Sequence, residues 1–375
     1  MSPAEGGSAA NPWPQALIAY SYYHEGRDSL LEDGLIGMAS GVLDAAIDQF
    51  NTVLATDQAY PPALNGLGEV YTFQASNYQT DVGRGIYSHT FDEAIQQFRA
   101  ALQAEPTYTR ARVNLGGALN SIGDYQSASQ ELEQAVREAP WQAEPLAALA
   151  ESYVGLGLYP EAVQVAERAL ALAPNDYAAH LQIGLAQYYQ GDLALSIFHF
   201  QRAIAADPRQ HDAYTKLGNA YFQSQSWHLS RMSYREALAR LPDVLVGGIV
   251  AQRAYLHFLI GLSYANAGMH AQAVQSYNEA LALDGNYLDS LRYLGRSYMA
   301  LRQYRAAEEA LRDALNKSPS AAVDAEIHVQ LGQVFETEGR NHEAIAEYST
   351  ALNIDPTNAE ALEGLQRLTG GTAAA

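Results

Sequence analysis

The chain has 375 residues, 42 acidic against 22 basic, for a formal charge of −20. That excess disfavours phosphate neutralisation, and with it a nucleic-acid partner; it reads either as ordinary surface solubility or as a preference for basic or apolar partners. The absence of cysteine excludes disulfides, thiolate metal sites and thiol nucleophiles, and the most apolar stretch, Val244–Ala265, is broken by Arg253 and His257 and makes a poor membrane span.

From the N-terminus, residues 1–13 are small, polar and proline-rich and are expected to be a disordered tail. They have no basic start and no apolar stretch before Trp13, so they do not read as an intact signal peptide. A soluble chain follows, with the cytoplasm favoured and a mature secreted or periplasmic form left open. Residues 14–25 suggest a capping helix. Residues 27–60 suggest a degenerate helical hairpin, whose second helix carries Ala46, Ile47 and Phe50 and whose first is weakened by Gly34, Gly37 and Gly41. Residues 61–108 form the next hairpin, interrupted by 14 extra residues at 77–90, NYQTDVGRGIYSHT. This insertion is a tolerated surface loop or, through Tyr78 and Tyr87, a loop that touches a partner.

Beyond it the chain becomes periodic. Pro106, Pro140, Pro174, Pro208 and Pro242 stand 34 residues apart, and so do Ala101, Ala135, Ala169, Ala203 and Ala237. Leu115-Gly116, Leu149-Ala150, Ile183-Gly184 and Leu217-Gly218 keep the same step. Three registers in phase mean an array of one supersecondary unit. In the unit 143–176, Leu146, Leu149, Ala150 and Tyr153 have helical spacing. Gly157 supplies the stop, and Pro160 suits the first turn of a second helix with a stripe of Ala162, Val165, Ala166, Ala169 and Leu170. Small residues at Gly116, Ala150, Gly184 and Gly218 on the first helices, and at Ala128, Ala162, Ser196 and Ser230 on the second, mark close helix approaches.

Units of this kind are expected at 109–142, 143–176, 177–210, 211–253, 254–287, 288–324 and 325–358. A closing helix at 359–369 turns Leu362 and Leu365 inward, and 370–375 is a disordered tail. Nine residues are added after Pro242, where Val244, Leu245, Val246, Ile249 and Val250 either lengthen or underlie the next helix or form a sticky patch. Three more near 321–324 suggest a longer turn.

The pattern resembles the tetratricopeptide repeat, W-x2-L-G-x2-Y followed by A-x3-F-x2-A and a proline. Leu67-Gly68-x2-Tyr71 with Ala94-x3-Phe98-x2-Ala101 and Pro106 carries the resemblance. So do Leu217-Gly218-x2-Tyr221, Leu294-Gly295-x2-Tyr298, and Ala344-x3-Tyr348-x2-Ala351 with Pro356. The first aromatic is replaced in most units, by Leu64, Leu146, Tyr214 or Leu291. The resemblance implies an all-α, right-handed superhelical solenoid of about nine units, residues 14–369, with a concave groove that holds extended or helical peptides.

On a helical wheel, the face of each first helix opposite the packed stripe carries Leu181, Leu185, Tyr188 and Tyr189, then Thr215, Asn219 and Phe222, then Tyr255, Phe258, Leu262 and Asn266. This is an apolar and aromatic surface of the kind used at protein interfaces. Asn65, Glu69, Glu144 and Glu151 lie to one side, and Arg292 and Arg296, one turn apart, could hold a carboxylate on the other. Partner binding competes here with self-packing or a homo-oligomeric contact. The lysine and asparagine set by which some family members grip chaperone tails is missing, since Lys216 is off the required face and Arg110 and Asn114 do not replace it.

The ten histidines form no HExxH, and there is no glycine-rich phosphate loop and no Gly-x-Ser-x-Gly. His199, His211, His228 and His270 read as surface or interhelix residues. We therefore expect no catalytic residue, no metal and no cofactor. The expected function is a non-catalytic scaffold for proteins or peptide segments, with a regulatory peptide receptor as alternative and an enzyme with an unseen site as the weakest reading. Tyr189→Ala or Phe258→Ala is expected to weaken partner binding without changing helix content.

Overall fold

The computed structural model describes residues 12–31, 36–78, 90–241 and 247–370. The described residues form nineteen α-helices. The chain divides into two compact units, Met1–Ala220 with Ala239–Ile249, and Tyr221–Leu238 with Val250–Ala375.

The first unit contains α1 (Trp13–Leu31), α2 (Ile36–Thr56), α3 (Pro61–Tyr78), α4 (Phe91–Ala104), α5 (Thr109–Ser121), α6 (Tyr125–Glu138), α7 (Ala143–Gly155), α8 (Tyr159–Leu172), α9 (Tyr177–Gln190) and α10 (Leu193–Ala206). Three helices, α11 (His211–Gln223), α12 (Trp227–Arg240) and α13 (Gly247–Asn266), contribute residues to both units. The second unit continues through α14 (His270–Leu283), α15 (Leu288–Ala300), α16 (Tyr304–Asn316), α17 (Ala321–Glu338), α18 (Asn341–Ile354) and α19 (Ala359–Thr369). Within each unit consecutive helices pair as hairpins. The odd-numbered ones also touch the next odd-numbered one, as α5 does α7, α7 does α9 and α15 does α17, so they form a layer of their own.

Local chemistry sets the ends of these helices. Thr90 and Glu93 make a reciprocal capping box at α4, and the carboxylates of Asp124, Asp176 and Asp192 accept the backbone N–H of Ser127, Ala179 and Leu195. Pro160 sits in the first turn of α8, where its missing N–H costs nothing. In the seven described hairpin turns from α5–α6 to α17–α18, one residue is left-handed. Glycine supplies it at Gly123, Gly157, Gly191, Gly268 and Gly339, whereas Gln225 and Arg302 adopt it with a side chain.

Packing across the α5–α6, α9–α10, α13–α14 and α17–α18 hairpins follows a knob and a notch sixteen residues apart. A Cβ placed at Gly116 would lie 2.4 Å from the Leu132 side chain; at Gly184, 2.6 Å from the Phe200 ring; at Gly261 and Gly332, 2.6 Å from the rings of Tyr277 and Tyr348. The notch therefore must be small wherever the knob is large. The interior of the first unit joins these layers from Ala16 to Ile183, and that of the second runs from Leu291 to Ala361.

Four places differ from the sequence reading. Residues 14–25 are not a separate cap: α1 runs on to Leu31 and pairs with α2. Gly37 and Gly41 lie inside α2, where the buried Leu43, Ala46, Phe50 and Val53 outweigh the roughly 1 kcal/mol cost of a helical glycine. Residues 321–324 are the first turn of a lengthened α17, opened by the strong helix formers Ala321 and Ala322, and not a longer turn. In α19 the inward positions are Ala361 and Gly364, with Leu365 half-buried, while Leu362 is 41% exposed, because the ring of Tyr348 fills the space against Gly364. Ile249 is buried in a long α13, but Val244, Leu245 and Val246 lie outside the described residues, as do 79–89 of the insertion and residues 1–11 and 371–375.

Candidate partner-binding grooves

The α3–α5 face of the first unit is polar and closed on itself. Asn65 donates to Glu69 at 2.8 Å, Asn114 donates to Asn65 and to Glu69 at 2.9 Å each, and Arg110 pairs with Glu69 at 2.8 Å. The Tyr20 hydroxyl accepts from Asn65 at 3.3 Å and donates to the Pro62 carbonyl at 3.1 Å. Burial, together with the Glu69 charge, pushes that phenol far above its ordinary value, so it stays a neutral donor. Asn65, Glu69, Arg110 and Asn114 hold each other and have little left to offer a ligand.

The α7–α9–α11 face is different. A groove of about 500 Å³ is lined by Tyr125, Glu151, Tyr159, Leu185, Tyr189, Asp212 and Lys216, among others. The rings of Tyr159 and Tyr189 stack at 5.4 Å and 19°, and Tyr188 meets Tyr189 edge-on at 5.5 Å. Tyr189 is 56% exposed; Leu185 and Tyr188 are half-buried; Leu181 is buried at 7% and presents little surface. Tyr125 seats against Gly155, where a Cβ would lie 2.4 Å from its ring. Glu151 has solvent access, but the surrounding walls remove part of its hydration. Its carboxyl is raised above the usual range by this desolvation, and further by Asp212, against a lowering bond from Asn120. Tyr125 and Tyr159 were missed by wheel reasoning confined to first helices. The signal that locates them is another series in the 34-residue step, Phe91, Tyr125 and Tyr159, each opening a second helix.

A second groove, about 510 Å³, lies within the second unit and is lined by Phe222, Leu262, Asn266, His270, Tyr293 and Arg296, with Ser297, Met299, Ala265 and Ala300. Phe222 is half-buried and meets Trp227 edge-on at 5.0 Å. Leu262 is half-buried and Tyr255 is 43% exposed. Phe258 belongs to the interior: it is buried among Tyr287, Tyr293 and Tyr277 at ring distances of 5.4, 5.5 and 5.9 Å. Arg292 does not join Arg296 in a fork, since it pairs with Glu326 and Asp289. The Arg296 guanidinium lies over the Tyr293 ring, 5.4 Å from its centroid. Asn219 is half-buried on α11, Tyr87 lies outside the described residues, and the side chain of Tyr78 does too.

Four histidines make interhelix contacts. His180 and His199 meet through their Nδ1 atoms, His257 pairs with Glu279 at 3.0 Å, and His328 pairs with Glu347 at 2.6 Å. Among the described residues, no group of three or more histidines and carboxylates is placed to hold a metal ion, and no helix is long and apolar enough to cross a membrane.

Family models described as tetratricopeptide repeat match residues 181–244 and 294–359, residues 86–133 and 119–188, and residues 254–287. The chain belongs to the tetratricopeptide repeat family. It is 30% identical over 111 residues to photosystem I assembly protein Ycf3 of Synechococcus sp. (strain CC9311), covering 28% of this chain and 64% of that protein. It is 31% identical over 98 residues to BBSome complex member BBS4 of Bos taurus, covering 26% of this chain and 18% of that protein. The chain thus spans less than two thirds of the length of these curated relatives. Its fold is similar to that of the APC/C hetero-tetramer Cut9–Hcn1, with a TM-score of 0.54 at 17% identity over 96% of this chain and 67% of that one. The human IFIT1 dimer with PPP-AAAA gives a TM-score of 0.57 at 19% identity, over 92% of this chain and 73% of that one. At such identities the likeness shows the tetratricopeptide solenoid and leaves function to the sites it carries.

Proposed function

We propose that this tetratricopeptide repeat protein is a non-catalytic scaffold that holds partner proteins in a multi-protein assembly through its grooves. One observation carries the reading: Tyr159 and Tyr189 stack in a groove of about 500 Å³, with Tyr189 more than half exposed. The rings of Phe200 and Tyr348, packed inside their hairpins, are by contrast fully buried. A rigid aromatic pair with a polar tip, left at the surface, offers contact area at low entropic cost. The names of the relatives, a photosystem I assembly protein and a BBSome complex member, support an assembly role of the same general kind.

A second reading, a receptor that reversibly binds one extended or helical segment, is favoured by groove size. About 500 Å³ seats a few side chains, whereas a stable protein–protein face buries on the order of 1,600 Å².

Affinity capture from native extract with the full chain, followed by mass spectrometry and size-exclusion of the recovered complex, tests both readings. A stable co-eluting complex that Tyr159→Ala/Tyr189→Ala disrupts supports the scaffold. A partner replaceable by one of its own short peptides supports the receptor. Capture unaffected by the double substitution removes the groove from the account.

A further inference from the structure

We propose that the groove of the second unit is a subsite for an acidic side chain, Asp or Glu, presented beside an apolar residue on an extended segment of a partner protein. The inference rests on the partner-binding reading above and names what one groove selects.

The first support is charge. The chain carries 42 acidic residues, yet none of the ten residues lining this groove is Asp or Glu. The groove of the first unit, by contrast, contains Glu151 and Asp212. The second support is Arg296. Arg292, Arg305, Arg312, Arg340 and Arg367 of the same unit are neutralised by carboxylates, but Arg296, the one arginine lining this groove, pairs with none among the described residues. Its guanidinium lies over the Tyr293 ring, an arrangement that uses one π face and leaves the N–H edge free for a carboxylate. A third support is His270, which lines the same groove and has its Nδ1 shielded from water without a hydrogen-bond partner; such an atom calls for a polar group to complete it. Phe222, Leu262 and Met299 supply apolar wall for a flanking side chain. A net charge of −20 opposes a nucleic-acid strand as the source of the anion.

The test is selection from a random peptide library displayed internally, so that no peptide has a free terminus, against the full chain and its Arg296→Gln and Arg296→Glu forms. Arg296 is exposed, and melting curves of the variants check that the fold is retained. Wild-type binders should carry an acidic residue next to an apolar one and lose about tenfold in affinity when that Glu is changed to Gln. Arg296→Gln should abolish the difference, and Arg296→Glu should turn the preference to Lys or Arg. Binders with no acidic preference, or with a preference that Arg296→Gln leaves intact, overturn the subsite while leaving the partner-binding reading standing. A wild-type chain that selects nothing overturns both. Displacement of selected peptides by a short single-stranded RNA, or a preference found only in a library with free C-termini, also overturns it.

Discussion

The imidazoles of His180 and His199 face each other across α9 and α10, Nδ1 to Nδ1 at 3.2 Å. The Nε2 of His180 lies 3.2 Å from the Pro174 carbonyl. That nitrogen therefore carries the hydrogen and donates, and the Nδ1 of His180 accepts from the Nδ1–H of His199. Protonating His180 would set two N–H groups against each other. Burial lowers both pKa values, and Arg202 adds to this at both rings; Asp176 opposes it at His180. Because the folded state disfavours the proton, the pair's contribution is intact above the unfolded value of about 6.5 and is lost as pH falls below it. The urea midpoint should fall between about pH 7 and about pH 5.5, and His199→Gln should flatten that slope. A midpoint that holds steady across this range would remove the pair from the stability of the first unit.

Gly332 packs against the Tyr348 ring, which is fully buried and hydrogen-bonds Glu336 at 2.7 Å. With the ring pinned at both ends it cannot retreat from a methyl group. Gly332→Ala should cost about 1–3 kcal/mol of stability, and Gly184→Ala, against Phe200, a similar amount. Gly117, with open space where its Cβ would be, is the control, and Gly117→Ala should be neutral or stabilising. Chemical denaturation of the three variants checks the ranking.

Arg302 holds φ +60 at the turn position that glycine occupies in five other hairpins. A side chain there strains the backbone, so Arg302→Gly should stabilise by about 1 kcal/mol. The guanidinium is not held in an ion pair among the described residues, so little is lost with it. A lower denaturation midpoint for the variant would contradict this account.

Phe258 and Tyr189 separate structure from surface. Phe258→Ala empties a site enclosed by three tyrosine rings and should cost about 3–5 kcal/mol, with loss of near-ultraviolet signal. Tyr189→Ala, more than half exposed, should change stability by under about 1 kcal/mol. Thermal denaturation of the two variants side by side distinguishes them.

The notch positions were legible in the sequence because a residue that must be small repeats with the unit: Gly116 and Gly184 keep a 34-residue register with Ala150 and Gly218. Leu181 and Phe258 show where a helical wheel stops. Their angular position is correct for an outward face, but both are buried, Phe258 against Tyr287 and Tyr293 of the next hairpin. A wheel knows one helix and not the layer beside it. Arg292 fails as half of a carboxylate fork for the same reason, since its partner Glu326 lies 34 residues away on the next odd-numbered helix.

Period, helix faces and turn glycines were thus determined by the sequence alone, because hydrogen bonding within a helix and the sterics of a left-handed turn act over a few residues that recur at every step. Only the tertiary structure decided which polar side chains remain free. Glu69 is consumed by Asn65, Arg110 and Asn114, while Arg296 has no carboxylate among the described residues, and that division depends on distances across stacked helices that no periodicity encodes.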